Sequence, residues 1–501
     1  MDVLLTVLAE HARRRPMVWA LRGAEGALRY GELAAAVAAL TDVLGRRAAR
    51  VVGLLLDNSP AWVAIDLAAH AAGVALVPLP GFFTAAQLMH AIRDGGIGLI
   101  LTDQPARIQA LAGSELECAS AAPVEVAGQR LVAFRIGHAC APATQAATAK
   151  ITYTSGTTGE PKGVRLAQTT MERVAIALLE RVGGGAVQRH LSVLPLATLL
   201  ENIAGVYVPL LAGGCCHLPP LAAVGVRGAA EFDAVRMIAA LRAAAASSAI
   251  LVPQMLQSLV AAGARLPDAR ILAVGGAPVA RTVIERARSI GLPVFEGYGL
   301  SECASVVSVN APDADRPGSV GRPLPHVRLR FAPDGEILVA GAGFQGYTGS
   351  DDAPTVDGYW PTGDLGHIDA DGFLHLSGRK RNVFITAFGR NVAPEWVERE
   401  LTAQPAIAQA AVFGESRPWN LAVVVPRDGR PRAEIAAAVH AANCELPDYA
   451  RVRGWIVAAA PFSVTNGQLT ATGRVRRDAV FSAHRAELDG RYSSYEQEIH
   501  A

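Results

Sequence analysis

The sequence is poor in lysine and cysteine, and both shortages are informative. Lysine and arginine together number 46, but the lysines are only Lys150, Lys162 and Lys380. We interpret this preference for arginine as coding bias, so each remaining lysine merits attention. No two of the six cysteines form a Cys-x-x-Cys pair, and no His/Cys cluster has zinc spacing. The cysteines are therefore predicted to be reduced thiols in a cytoplasmic protein.

The sequence also lacks an excess of charge and any long apolar run. A net charge of +1 gives no reason to expect a nucleic-acid partner. Residues 1–16 do not have the layout of a signal peptide, because Asp2, Glu10 and His11 interrupt the apolar run. The most apolar stretch, Ile203–Cys216, is too short to span a bilayer. We therefore expect no integral membrane segment.

The sequence has the composition of a large α/β protein and the alternation of strand and helix patterns that is typical of one. A chain of 501 residues with 51% hydrophobic residues predicts a globular protein of two or more domains. Continuous apolar runs such as Val51–Leu56 and Val74–Pro78 alternate with helical patterns such as Ala61–Ala72. This alternation predicts parallel sheets covered by helices. It continues to Tyr298, with a helix predicted over Leu199–Leu211, but Ala119–Thr148 is predicted to be rich in loops.

The character of the chain changes twice towards its C-terminus. Beyond Arg316 the predicted strands are short and separated by turns, which indicates a small antiparallel or barrel-like section. A charged joint at 379–382 follows, and it is the predicted hinge. We predict an N-terminal domain over 1–379 and a small, mobile α+β domain over 380–501, with a frayed tail after about Ala486.

The most informative segment is Ile151–Val164, which reads ITYTSGTTGEPKGV. A strand end is followed by glycines and hydroxyl residues and then by a single lysine, Lys162. Backbone N–H groups, hydroxyls and one compact charge suit an oligophosphate. The spacing is not that of a Walker A loop, because no Ser or Thr follows the lysine. A flexible linker is the alternative, but linkers do not place a lone Lys and Pro in such a pattern.

At these residues the chain resembles the phosphate loop of the ANL adenylate-forming enzymes, which include acyl-CoA synthetases. Further segments resemble the same superfamily in the right order, so the resemblance covers nearly the whole chain. Taken singly, several have ordinary alternatives: Gly275-Gly276-Ala277 as a strand-to-helix turn, Thr362-Gly363-Asp364 as a turn, and the charged residues as a solvated surface.

The resemblance implies a role for each matched residue. It assigns the phosphates to Lys162 and the loop, the adenine to Tyr298 and the glycine-rich strand end, the α-phosphate to Ser301, and Mg²⁺ to Glu302 with Thr157. It assigns the ribose to Asp364 and Arg379 and the hinge to Arg381. The implied nucleotide-binding set is Thr154, Ser155, Gly156, Thr157, Thr158, Gly159, Gly275, Gly276, Ala277, Tyr298, Gly299, Asp364 and Arg379.

One position departs from the family pattern. Near the C-terminus the family presents a lysine that reaches the substrate carboxylate and the α-phosphate, and Arg474 stands in its place here. The positive charge is kept, but a planar guanidinium is not a compact ammonium. The implied catalytic set is thus Lys162, Ser301, Glu302 and Arg474, and the arginine leaves open a slowed or lost adenylation.

The resemblance implies an ATP- and Mg²⁺-dependent ligase that converts a small carboxylic acid to an acyl-adenylate and transfers the acyl group to a thiol. The segment 194–214 resembles the fatty-acyl branch, which favours a fatty or other apolar acid. The thiol is that of CoA or of the phosphopantetheine on an acyl carrier protein. The alternatives are a ligase for such a carrier protein and a catalytically impaired binding homologue.

Overall fold

A computed structural model describes residues 2–46, 50–112, 116, 118–137, 148–154, 161–227, 231–350, 355–470 and 473–500. Two large sheets with helices form most of the N-terminal part, and a smaller part follows the short turn Lys380–Asn382. The fold is therefore mixed α/β, as the alternation of strands and helices predicts.

The first large sheet has nine strands within the described residues. Its central strands run parallel, and antiparallel strands pair at both edges. In order across the sheet the strands are Arg322–Pro323, Ser308–Val309, Val294–Tyr298, Ile271–Val274, Ser248–Leu251, Arg189–Leu191, Cys215–Leu218, Trp19–Gly23 and Ala27–Arg29.

The second large sheet has eight strands in the same part of the chain. All five residues of its central strand Val51–Leu55 are buried, as expected for a parallel strand covered on both faces. In order the strands are Phe344–Tyr347, Lys162–Ala167, Thr148–Thr154, Ala75–Pro78, Val51–Leu55, Leu99–Thr102, Gln129–Ile136 and Cys118–Val126.

Helices cover these sheets and build much of the small C-terminal part. None of the described helices is long and apolar enough to cross a membrane. Their bounds are Val3–Arg14, Tyr30–Arg46, Pro60–Ala71, Ala85–Asp94, Pro105–Ala112, Gln168–Val182, Leu199–Asn202, Val208–Leu211, Ala234–Ala243, Pro253–Ala261, Arg281–Ser289, Pro394–Thr402, Arg432–Cys444 and Arg477–His500.

The helix predicted over Leu199–Leu211 is present and contains one irregular turn. A turn of π-helix occupies Ile203–Tyr207, between the short helices on either side. Pro209 has no N–H to donate to the preceding turn, and the N–H of Val208 bonds to the carbonyl of Ile203 instead. The prediction of a helix over this range is confirmed, and the turn of π-helix within it is a detail that the sequence pattern does not show.

The prediction of a loop-rich segment over Ala119–Thr148 was wrong in its first part. Cys118–Val126 and Gln129–Ile136 form an antiparallel hairpin at the sheet edge. Most residues of the outer strand are exposed, so it carries little of the apolar alternation by which strands are recognised. Residues 138–147 lie outside the described part.

The short strands beyond Arg316 include an antiparallel four-stranded sheet. Its strands, in order, are Arg328–Phe331, Glu336–Ala340, Trp360–Ile368 and Leu374–Arg379. The small C-terminal part contains a three-stranded sheet, Ile407–Phe413, Asn420–Pro426 and Val452–Val457, and the paired strands Phe384–Ile385 and Asn391–Val392. The remaining strand pair is Val226–Arg227 with Glu231–Phe232.

The chain end is helical rather than frayed. The helix Arg477–His500 places Leu488 and Tyr492 in the core of the small part. The Tyr492 hydroxyl donates to the carbonyl oxygens of Phe413 and Trp419, at 3.3 Å each. Apolar residues are so sparse here that the sequence pattern alone suggested a loose tail, and that prediction was wrong.

One of the lysines, Lys150, lies inside the large part. Its side chain is 2% exposed, and its Nζ lies 2.7 Å from Oδ1 of Asp66 and 3.1 Å from the Tyr207 hydroxyl. Burial lowers the pKa of Lys150, while Asp66 favours its charged form. Lys150 therefore belongs to a buried ion pair of the core.

Candidate active site

Both ends of the glycine- and threonine-rich loop are held in a β-hairpin. Thr154 and Lys162 pair across it, and the Thr154 hydroxyl lies 3.5 Å from the carbonyl oxygen of Lys162. The helix Ala85–Asp94 braces both strands: Asp94 accepts a 2.6 Å bond from the Tyr153 hydroxyl, and His90 Nε2 lies 2.8 Å from the Pro161 carbonyl oxygen. The predicted residues Ser155, Gly156, Thr157, Thr158 and Gly159 lie outside the described part.

Lys162 and Glu302 are brought together through Tyr347. The exposed Lys162 places its Nζ 5.4 Å from the centre of the Tyr347 ring, within the range of a cation–π contact. The Tyr347 hydroxyl donates a 2.8 Å hydrogen bond to Oε1 of Glu302. The predicted phosphate ligand and the predicted magnesium ligand therefore lie in one patch.

Asp364 is held by two partners at the end of the four-stranded sheet. Its Oδ2 accepts a 2.7 Å bond from the Tyr298 hydroxyl, and its Oδ1 lies 2.8 Å from Nε of Arg379. Burial raises the pKa of Asp364, and the neighbouring Arg379 and Tyr298 oppose that shift. Burial likewise raises the pKa of the Tyr298 phenol well above its ordinary value, which keeps it a hydrogen-bond donor.

The glycine-rich strand end leaves a bare stretch of backbone near the same site. Gly275 is buried, while Gly276 and Ala277 are exposed just beyond the strand Ile271–Val274. A methyl group added at Gly275 would lie 3.5 Å from Cδ2 of Leu200, and one at Gly276 would lie 4.0 Å from Cγ1 of Val252. The backbone face is thus flanked by apolar side chains.

The turn after Tyr298 requires its glycine. A Cβ at Gly299 would lie 1.6 Å from the carbonyl oxygen of Ser305, so any side chain would force this turn open. Ser301 and Glu302 follow in a short 3₁₀ turn and remain partly exposed. The turn therefore presents the predicted hydroxyl and carboxylate side by side.

Arg474 reaches this cluster from the small C-terminal part. It lies in a hairpin in which Thr470 N–H donates to the Arg474 carbonyl at 2.8 Å and Arg476 N–H donates to Gln468 at 2.8 Å. Asp364 and Glu302 favour the charged form of its guanidinium, and the cations Arg379 and Arg381 disfavour it.

The guanidinium of Arg474 keeps contact with solvent, yet the protein atoms packed around it lower its pKa. Arg379 lowers this pKa further. Arg474 is therefore exposed, yet close enough to the ribose-site and magnesium-site candidates for their charges to act on it.

The predicted hinge residue Arg381 is exposed in the turn Lys380–Asn382. Lys380 next to it pairs with Asp334 and Glu336, at 2.7 Å each. The turn thus follows directly on the ribose-site candidate Arg379. The ion pairs of Lys380 link this joint to the large part.

The structure adds a residue that the sequence analysis missed. Tyr347 links Lys162 to Glu302, but no motif surrounds it. Its strand pairs with the strand of Lys162 although the two are far apart in sequence. Only the order of strands in the sheet could have identified it.

Comparisons with known proteins agree with this geometry. The chain matches the family description "AMP-binding enzyme" over residues 8–348 and "AMP-binding enzyme C-terminal domain" over residues 381–496. It is 29% identical over 520 residues to the long-chain-fatty-acid–CoA ligase FadD15 of Mycobacterium bovis, covering 86% of each chain. It is 30% identical over 452 residues to a feruloyl-CoA synthase of an Amycolatopsis species, covering 83% of this chain and 87% of the relative.

A solved structure has the same fold. The anthranilate CoA ligase AuaEII, in complex with anthranoyl-AMP, superposes with a TM-score of 0.80 over 96% of both chains at 19% identity. The chain therefore belongs to the AMP-binding enzymes, within the ANL superfamily of adenylate-forming enzymes. It is an enzyme of the acid–thiol ligase class. The boundary between the two domains at 379/380 stays a prediction.

Proposed function

We propose that this enzyme activates an apolar carboxylic acid with ATP and transfers the acyl group to CoA. The observation that carries the proposal is that Tyr347 links Lys162 to Glu302, so that the proposed phosphate and magnesium ligands lie in one patch. In the first half-reaction an acid oxygen attacks the α-phosphorus, and the bond to pyrophosphate breaks. In the second, a thiol sulfur attacks the acyl carbon, and AMP leaves.

In this proposal the chain's own residues bind and orient the nucleotide. The Asp364 carboxylate, held by Tyr298 and Arg379, accepts hydrogen bonds from the ribose hydroxyls. Lys162 offsets phosphate charge, and Arg474 has the role of offsetting the charge that develops between acid and α-phosphate. Such fixed cations contribute by electrostatic stabilisation and positioning.

The proposed magnesium ligand fits a hard cation. Glu302 offers a partly exposed carboxylate whose Oε1 is fixed by the Tyr347 hydroxyl, and carboxylate oxygen is a donor that Mg²⁺ prefers. The other proposed ligand, Thr157, lies outside the described residues. When bound, Mg²⁺ would offset charge on the phosphate oxygens.

The apolar side chains beside the glycine-rich strand end favour an apolar acid next to the proposed adenine site. Leu200 and Val252 flank the bare backbone of Gly275 and Gly276, and Leu200 is packed among the core residues of the first sheet. An apolar acyl chain against these side chains gains roughly 25 cal/mol for each Å² of surface removed from water. Fatty and aryl acids both offer apolar surface that could pack against Leu200 and Val252.

The experiment is pyrophosphate exchange with ATP and Mg²⁺ across a panel of acids from acetate to long-chain fatty and aryl acids. We expect exchange with apolar acids and little with acetate. Each active acid is then offered CoA and, separately, a carrier protein bearing phosphopantetheine. Acylation of the carrier alone would replace CoA as the proposed acceptor.

Arg474 also motivates a second candidate, a homologue that binds nucleotide without catalysis. The charges of Asp364 and Glu302 act on Arg474, and this supports retained chemistry because Arg474 keeps a positive charge near the proposed ribose and magnesium ligands. AMP binding without exchange for any acid in the panel would favour the non-catalytic candidate.

A further inference from the structure

A buried ion cluster lies directly behind the hairpin that carries Arg474. The guanidinium of Arg477 lies between two carboxylates of the helix Pro394–Thr402: its Nη1 is 3.0 Å from Oε1 of Glu395, and its Nη2 contacts Oε2 of Glu398. All three side chains are at most 20% exposed. Arg477 thus fastens the base of the hairpin to this helix.

The two carboxylates have different second partners. Glu398 accepts a 2.9 Å bond from the N–H of Val412, which ties it to the three-stranded sheet. Glu395 instead accepts a bond from the side-chain amide of Asn382, in the turn of the joint. Of the two, Glu395 therefore connects the hairpin to the joint.

Glu395 also faces the large part. A Cβ added at Gly378 would lie 2.4 Å from Cβ of Ala393 and 3.7 Å from Oε2 of Glu395. This oxygen is buried and has no hydrogen-bond partner among the described residues. The charge of Glu395 also acts on Asp364 and Arg381, so it lies close beneath the candidate ribose site.

We propose that Glu395 is a positioning residue that fixes the Arg474 hairpin relative to the joint at 379–382. The proposal rests on the function proposed above. Because Arg477 is three residues from Arg474, loss of the Glu395 contact loosens the hairpin at its base. A charge that stabilises a transition state loses much of its effect when displaced by about 1 Å. Arg474 matters most in the first half-reaction, so the defect should be confined to it.

The test compares Glu395→Gln with Glu434→Gln. Glu434 is in the same part of the chain but forms an exposed pair with Arg430, so its loss should change little. For Glu395→Gln we expect pyrophosphate exchange to fall roughly 10- to 100-fold in kcat, with a small change in the KM for ATP. CoA acylation from supplied acyl-adenylate should stay within about twofold of the parent enzyme.

Two further measurements keep the test decisive. Hydrogen exchange of the peptide spanning 468–476 should become faster in Glu395→Gln but not in Glu434→Gln, and this readout needs no active substrate. The hydrogen-exchange measurement therefore remains informative if no acid supports pyrophosphate exchange. That result would count against the proposed function and not against the positioning role of Glu395. Asn382→Ala leaves the Arg477 ion pair intact and should give a smaller defect of the same kind.

Equal loss of both half-reactions in Glu395→Gln would overturn the proposal, because it would mean general damage to the fold. If Glu395→Gln changes neither the rate of pyrophosphate exchange nor the rate of amide hydrogen exchange, the proposal is overturned too.

Discussion

The Tyr298 hydroxyl donates a 2.7 Å hydrogen bond to Oδ2 of Asp364, and so joins the end of a parallel strand to the four-stranded sheet. The two residues come from segments whose motifs are separate in the sequence. Their contact holds the carboxylate that we propose to bind the ribose.

Tyr298→Phe should weaken ATP binding about tenfold, because a hydrogen bond to a charged group contributes about 1.5 kcal/mol or more. The Arg379 contact should keep Asp364 in place, so kcat should change less than KM. Initial rates of pyrophosphate exchange at varied ATP measure both constants. Unchanged KM and AMP affinity would remove the Tyr298–Asp364 pair from the nucleotide site.

Arg474→Ala should reduce pyrophosphate exchange by roughly 100-fold and spare acylation of CoA from supplied acyl-adenylate. Arg474→Lys should keep or raise the exchange rate, because a compact ammonium can approach the same oxygens. The two variants are compared in both half-reactions. A collapse of Arg474→Lys would show that the forked guanidinium itself is used.

Lys162→Ala and Glu302→Ala should each lower the first half-reaction by roughly 100-fold, since each removes a charge proposed to meet the phosphates or their metal. Tyr347→Phe should have a milder effect, because it removes only the 2.8 Å bond to Glu302 and keeps the ring beside Lys162. Exchange rates at saturating ATP and Mg²⁺ provide the measurement. Parent rates in either alanine variant would contradict the site assignment.

Glu296 should make stability depend on pH. It is buried within the same strand as Tyr298, where burial raises its pKa to about 7, although the Val279 N–H donates to it at 2.9 Å. An acid whose pKa is raised on folding contributes stability below its unfolded pKa of about 4.5 and loses it as pH rises through 7. Glu296→Gln should remove this loss, of about 1–3 kcal/mol.

Chemical unfolding at pH 5 and pH 8 measures that effect. At pH 8 the Glu296→Gln variant should be more stable than the parent. The difference between the two free energies of unfolding cancels the pH dependence of the titratable groups that both proteins share. An equal difference at the two pH values would mean that Glu296 is ionised in the folded protein throughout this range.

The sequence predicts buried and local features best. Strands such as Val51–Leu55 are recognisable because both faces are covered and every residue is apolar. The strand pair 118–136 was missed because its outer strand is mostly exposed, and the terminal helix because few residues such as Leu488 and Tyr492 anchor it.

The candidate site divides in the same way. Tyr298 to Glu302 could be identified because the residues are contiguous, and Asp364 and Arg379 because each stands in a short motif. Tyr347 and Glu395 gave no signal, since their roles depend on which strands and helices become neighbours in space. That the charges of Asp364 and Glu302 act on Arg474 likewise required the structure.

The scarcity of lysine has a practical consequence for chemical labelling. Lys150 is enclosed in the core, and Lys380 is engaged by two carboxylates. Lys162 is the remaining one of the three, and its exposed side chain lies beside the Tyr347 ring in the candidate site. Among the lysines, an amine-reactive dye therefore has its favoured target at the proposed phosphate site, and its attachment there would report nucleotide occupancy without any knowledge of the acid.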